Sequence, residues 1–147
     1  MSIVKNNLSF RNLKSNEIWR EFNMGDESKV KKFAEEYIKA ITKGDVKFIE
    51  KNFGFKEAYD YDKEFYGEWS QANKKSFEDY EKEWKTGLKW TVKKWDKKFW
   101  IRAIQMTKDK AAVIIDAEGA KYISTALILS KKTGKWKILL IPMWNFG

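Results

Sequence analysis

The 147-residue sequence contains neither cysteine nor histidine. The absence of cysteine excludes disulfides, thiolate nucleophiles and thiolate metal sites, and the absence of histidine removes the commonest acid–base group at neutral pH. Any catalysis would have to use carboxylate, tyrosine, lysine or serine side chains. The acids at residues 57–68 do not have the spacing of a calcium-binding loop, so we predict no metal and no cofactor.

Long apolar runs are also absent. Residues 1–20 lack the apolar stretch of a signal peptide, and "ILLIPMW" at residues 138–144 is too short to span a bilayer. These patterns predict a cytoplasmic protein without membrane insertion. The length fits a single domain, which we place at residues 28–147, preceded by an amino-terminal arm and short helix at residues 1–27.

The first half of the domain has helical periodicity. Apolar residues recur every three or four positions from Ser28 to Thr42, and Asp26 or Ser28 is suited to cap the start of this helix. Gly44 is suited to end it, and Asp45 to cap a second helix that turns back on the first. The aromatic and acidic segment at residues 57–84 predicts one broken helix or two short ones.

From Leu88 onward the apolar period changes from 3.6 to 2. Five strand-like runs with short connections predict an antiparallel meander; they are "LKWTVKKW", "KFWIRAIQM", "KAAVIIDA", "AKYISTALILS" and "KWKILLIPMW". Helices followed by strands indicate an α+β fold in which the helices pack in a curved sheet.

The segment "VKKFAEEYIKAITKGDVKFIEKNF", an aromatic middle and a carboxy-terminal meander together resemble the nuclear transport factor 2-like superfamily, also described as cystatin-like or ketosteroid-isomerase-like. The resemblance implies a cone in which helices curl inside a strongly bent sheet and leave a cavity. It does not imply a reaction, because the superfamily contains isomerases, dehydratases, transport factors and binding domains. The missing histidines exclude the Asp–His dyads of its dehydratase-like members.

Asp116 in "AAVIIDAEG" is the one candidate catalytic acid, since it follows an apolar strand and could face a cavity. We favour the alternative in which it supports a turn at "DAEG". Abundant aromatic residues predict a pocket for an apolar or planar ligand, although most should belong to the core. The aromatic residues that we predict to line this pocket are Tyr37, Tyr122, Trp69 and Trp144.

The net charge of +9 is unevenly distributed. Residues 85–110 contain nine lysine or arginine residues and two acids, whereas residues 57–83 contain nine acids and four lysines. The basic stretch could bind nucleic acid or another polyanion through Lys89, Lys93, Lys94, Lys97, Lys98 and Trp95. We favour a solvated lysine face instead, because alternation in the first strand would bury Trp90 and leave Trp95 and Trp100 exposed near a turn.

The leading hypothesis is a small non-enzymatic binding or accessory domain. It would engage a protein partner, such as a second copy of the chain, or an apolar ligand through a concave aromatic pocket. The alternatives are polyanion binding through residues 85–110 and a cofactor-free isomerase or lyase with an acid in the cavity.

Overall fold

The computed structural model describes the backbone of residues 13–147 and the side chains of residues 26–147, except that of Thr91. Four α-helices precede six β-strands. The helices are α1 (Leu13–Lys43), α2 (Val46–Asn52), α3 (Phe55–Tyr66) and α4 (Phe77–Thr91). The strands are β1 (Phe99–Met106), β2 (Lys110–Ala117), β3 (Tyr122–Thr125), β4 (Leu127–Ser130), β5 (Lys137–Leu140) and β6 (Met143–Asn145). None of the helices at residues 13–147 has the length and apolar character needed to cross a membrane.

Helix α1 begins earlier than its sequence pattern predicts. Asp26 and Ser28 lie inside the helix, so the prediction that either residue caps its start is wrong. The Asp26 carboxylate instead accepts a hydrogen bond from Lys131 Nζ at 2.6 Å, which ties α1 to the turn after β4. The short helix predicted before residue 27 is continuous with α1, and the arm at residues 1–12 lies outside the described residues.

The junction between α1 and α2 has the predicted capping residues. Gly44 has φ +71°, in the left-handed region that ends many helices. The Asp45 carboxylate then accepts a hydrogen bond from the Phe48 amide at 3.2 Å and caps α2. The resulting helical hairpin buries Ile41 and Ile49 in the main core.

The prediction that "LKWTVKKW" forms the first strand is wrong, because α4 extends to Thr91. The Ser76 hydroxyl oxygen caps the start of this helix by accepting a hydrogen bond from the Asp79 amide at 3.2 Å. Tyr80, Trp84 and Leu88 then follow at four-residue intervals and form one apolar helical stripe. The helical stripe, and not the short alternating pattern, decides the structure of this segment. Trp90 consequently lies on the outer face of the helix and is 76% exposed, although we predicted it to be buried.

The strands form an antiparallel four-stranded sheet in the order β1-β2-β4-β5 and a two-stranded sheet of β3 and β6. Strands β3 and β4 are the two halves of one segment that bends at Ala126, and β5 and β6 belong to another that bends at Ile141 and Pro142. The Thr125 hydroxyl donates to the Ile141 carbonyl oxygen at 2.9 Å, so the two bends face each other. These bends divide two of the four remaining predicted runs, which gives six strands, and they curve the sheet.

Helices and sheet share one core. Alternate β2 side chains, including Val113 and Ile115, are buried against the helices, as are Leu129 of β4 and Ile138 of β5. The Gly54 amide, just before α3, donates to the Ile138 carbonyl oxygen at 2.8 Å. The fold is therefore α+β, with four amino-terminal helices and a curved antiparallel sheet in a cone-like arrangement, as the order of elements predicts.

Candidate ligand-binding cleft

A cleft of about 380 Å³ opens beside α4, and we call it the α4 cleft. Helix α4 contributes five lining residues, and α3, the segment between α3 and α4, and the bend after β5 contribute the others. The lining residues are Asp62, Gln71, Lys75, Tyr80, Glu83, Trp84, Gly87, Leu88 and Ile141. The cleft therefore forms where the helices meet the bent hairpin of the sheet.

The aromatic part of the α4 cleft is held firmly by the core. The Trp84 ring lies 5.5 Å from the Phe53 ring and 6.2 Å from the Tyr80 ring, centroid to centroid. Tyr80 in turn packs edge-on against Tyr59 at 5.1 Å. Because each ring is fixed by another ring, the cleft presents a pre-formed aromatic surface to a ligand.

Charged groups lie beside this aromatic surface. Lys75 Nζ contacts both carboxylate oxygens of Glu83, at 2.8 and 2.9 Å. The backbone at Lys75 is anchored, since its carbonyl oxygen accepts a hydrogen bond from the Tyr59 hydroxyl at 2.9 Å. Asp62 Oδ1 accepts a hydrogen bond from the buried Ser70 hydroxyl at 2.6 Å. The cleft thus combines one cation with two carboxylates whose positions are fixed by neighbouring groups.

Tyr80 is the titratable group that the cleft perturbs most clearly. Burial of its phenol, reinforced by the negative charge of Asp62, raises the pKa of Tyr80 to about 12. A hydrogen bond from the Trp84 side chain acts in the opposite direction, because it favours the phenolate. The phenol consequently keeps its proton throughout the neutral range.

The raised pKa of Tyr80 predicts a loss of stability in alkaline solution. Below pH 10.0, the ordinary tyrosine pKa, the phenol is protonated in both the folded and the unfolded chain. As the pH rises from there towards about 12, the unfolded chain loses this proton while the folded chain retains it, which favours unfolding. We expect urea denaturation to show a smaller decline in unfolding free energy over this range for Tyr80→Phe than for the wild type. Equal declines would contradict the assignment.

The structure does not bring the four predicted ligand-binding aromatics together. Tyr37 is buried in the core on α1, where burial raises the pKa of its hydroxyl. The partly buried Trp144 donates to the Ile115 carbonyl oxygen at 2.7 Å. Tyr122 is exposed on β3, and Trp69 is exposed in the turn after α3. The α4 cleft is lined by other residues.

Asp116 lies within β2, on the face opposite the buried residues Ile115 and Ala117. Its carboxylate pairs with Arg102 of β1, with 3.0 Å between Asp116 Oδ2 and Arg102 Nε. The turn that we favoured for Asp116 begins later, at Glu118 and Gly119. The residue is thus placed in a cross-strand ion pair, away from the lining of the α4 cleft.

The predicted polyanion-binding lysines are all exposed: Lys89, Lys93, Lys94, Lys97 and Lys98. Trp95 differs from them, since it is partly buried and packs against Phe99, Trp144 and Phe146 at centroid distances of 5.6–6.2 Å. Trp100 is exposed, as predicted. The aromatic rings beside these lysines that face solvent are therefore those of Trp90 and Trp100.

Sequence reasoning missed Lys75 and Glu83 as site residues and considered Asp62 only as part of an acidic run. The stripe of Tyr80, Trp84 and Leu88 was the available signal, because it places two aromatic rings on one face of α4. In the described part of the chain, no group of three or more side chains is arranged to hold a metal ion.

Residues 25–141 match the model of a protein family described as "Putative lumazine-binding". The matched range contains every residue that lines the α4 cleft. No curated protein and no solved structure matches the chain significantly.

Proposed function

This chain belongs to the family described as "Putative lumazine-binding", and on that premise we propose that it binds a small planar heterocycle in the α4 cleft. The observation that carries the proposal is the meeting of an aromatic surface with charged groups in one cavity of about 380 Å³. This volume lies within the range of sites for small ligands. We also infer that the family shares the conical architecture of the nuclear transport factor 2-like superfamily, which the bent sheet supports.

The side chains of the cleft suit the chemistry of lumazine, a flat bicyclic ring system with carbonyl oxygens and ring N–H groups. The Trp84 ring offers a surface for stacking. Lys75 is positioned to donate a hydrogen bond to a ring carbonyl, and the Asp62 carboxylate to accept one from a ring N–H. Tyr80 supplies a neutral hydroxyl donor. In this arrangement aromatic contact supplies affinity and the polar groups set the orientation.

A binding role accounts for the cleft better than the isomerase or lyase alternative. That alternative needs an acid in the cavity, and its candidate, Asp116, is paired with Arg102 outside the cleft. The acids that do line the cleft, Asp62 and Glu83, accept hydrogen bonds from Ser70 and Lys75. These contacts hold the two carboxylates in place and favour a role in recognition.

Isothermal titration of the full chain with lumazine tests this proposal. Trp84→Leu should weaken binding roughly fivefold or more, because a stacking surface worth about 1–3 kcal/mol is lost. Trp90→Leu is the matched control, since Trp90 belongs to the same helix but is exposed and outside the cleft lining. Its affinity should equal that of the wild type.

Lys75→Ala provides a second variant that leaves the aromatic core intact. The loss of a charge-assisted hydrogen bond should weaken lumazine binding by about 1.5–3 kcal/mol, or roughly tenfold or more. The proposal fails if wild-type protein takes up no lumazine at about 1 mM ligand, a concentration that half-fills a site with a dissociation constant of about 1 mM. It fails equally if Trp90→Leu weakens binding as much as Trp84→Leu.

A further inference from the structure

Four large aromatic side chains lie exposed on α3 and the turn that follows it. They are Tyr61, Phe65, Tyr66 and Trp69, each between 48% and 78% exposed, and we call them the aromatic patch. The Tyr61 and Phe65 rings stack at 5.6 Å, and Phe65 meets Tyr66 edge-on at 4.9 Å. At least three of the rings thus form one continuous apolar surface, a feature that commonly marks a protein interface.

Negative charge surrounds the aromatic patch. Glu64 and Glu68 are exposed within it, and neither forms an ion pair in the described part of the chain. Asp60 is also exposed and contacts Lys56 at 3.4 Å. Within residues 57–69 there are five acids and one lysine, although the whole chain carries +9. A partner for this surface must therefore tolerate aromatic rings and carry positive charge.

The chain itself carries a surface with those properties. Lys89, Lys93, Lys94, Lys97 and Lys98 are exposed near Trp90 in sequence, and we call these six residues the basic surface. The lysines of the basic surface and the acids around the aromatic patch form no direct ion pairs with each other in the described part of the chain.

We propose that the chain associates with a second copy of itself, with the aromatic patch of one molecule docked on the basic surface of the next. Lysine ammonium groups already lie over aromatic rings on α3, because Lys63 Nζ is 5.0 Å and Lys56 Nζ 5.2 Å from the Tyr59 ring centroid. The same cation–π geometry is available to incoming lysines at the exposed rings. Carboxylates beside the rings supply the complementary charge.

The contact joins two different surfaces, so it is heterologous. Such contacts build a ring if the rotation between neighbours closes, and an open chain if it does not. Because the charges are exposed, association should be strong at low ionic strength and weak when the Debye length falls to about 5 Å or less. This dependence on salt separates the contact from a purely apolar interface.

Sedimentation velocity of the full chain at about 25 mM and 300 mM salt tests the proposal. We expect concentration-dependent assembly at low salt and its loss at high salt. Glu64→Lys/Glu68→Lys and Lys93→Glu/Lys94→Glu should each raise the dissociation constant about tenfold or more, because each reverses the charge of one surface. An equimolar mixture of the two variants should restore association, since each still carries one unaltered surface and the reversed surfaces also complement each other.

Glu35→Lys/Glu36→Lys on α1 is the control, because it changes net charge as Glu64→Lys/Glu68→Lys does, at exposed positions outside both surfaces. It should assemble close to the wild type, and Phe65→Ser should weaken assembly at low salt. A wild-type monomer at about 0.2 mM protein and low salt would overturn the proposal, as that concentration detects sub-millimolar association. Equal loss in the control would also overturn it, and so would assemblies that disappear after nuclease treatment, which would assign the basic surface to nucleic acid.

Discussion

Ile138→Ala is expected to lower the free energy of unfolding by about 2–5 kcal/mol, the range for isoleucine truncation in a packed core. Ile138 lies in β5 at 0% exposure, where the sheet packs against the helices. The backbone of Ile138 is held on both sides. Its carbonyl oxygen accepts a hydrogen bond from the Gly54 amide, and Ile138 pairs with Leu129 of β4. The surrounding groups therefore have little freedom to fill the cavity. Urea denaturation followed by far-ultraviolet circular dichroism measures the loss.

Leu140→Ala is the matched control for this prediction. Leu140 is in the same strand but is 40% exposed, so truncation removes less buried surface and leaves no enclosed cavity. We expect a loss of less than about 1 kcal/mol, in keeping with the usual cost at partly exposed positions. Equal losses for the two variants would mean that Ile138 does not have the enclosed packing described above.

Gly44→Ala is expected to destabilise the protein by about 2–4 kcal/mol, because backbone strain of about 1–2 kcal/mol and crowding of about 1–3 kcal/mol act together. The residue has φ +71°, a conformation that side-chain-bearing residues rarely adopt. A Cβ atom there would lie 3.1 Å from the Lys94 amide nitrogen and 3.4 Å from its Cα. This neighbour cannot move easily, since the next amide, that of Trp95, donates to the Ile41 carbonyl oxygen at 3.2 Å. Thermal or urea denaturation gives the measurement.

Gly119→Ala separates the two causes. Gly119 has φ +82°, but a Cβ atom there would have no neighbour within 4 Å. It should therefore show only the conformational cost, about 1–2 kcal/mol. If Gly44→Ala costs no more than Gly119→Ala, the added Cβ atom meets no steric penalty from Lys94.

The parts of the fold that follow from local chemistry could be predicted from the sequence. Gly44 and Asp45 act within one turn of the chain, so their spacing alone predicts the junction between α1 and α2. The end of α4 was predicted wrongly because Leu88, Trp90 and Val92 fit a strand as well as a helix over so short a window. Continuation of the helix from Ser76 decides between them, and that information lies more than ten residues upstream.

The α4 cleft depends on contacts that the sequence pattern does not contain. Spacing predicts which residues share a face of one element, as for Tyr80 and Trp84, but not which faces meet. Ile141 enters the cleft only because the second half of the hairpin bends there. For the same reason Tyr37 and Trp144, both aromatic and both in regular elements, lie in places that their own spacing could not distinguish.

The attachment of α3 to the carboxy-terminal hairpin has a consequence for synthesis of the protein. The Ser130 hydroxyl donates to the Glu57 carboxylate across 73 residues of sequence, and the Gly54 amide reaches the Ile138 carbonyl oxygen. Contacts between such distant residues slow folding, because a long loop must close before they form. A nascent chain that has produced all four helices still has no sheet on which to pack them. The parts of α2 and α3 that pack on β5 therefore remain uncovered until β5 has left the ribosome, and that interval is when the chain is most prone to aggregate.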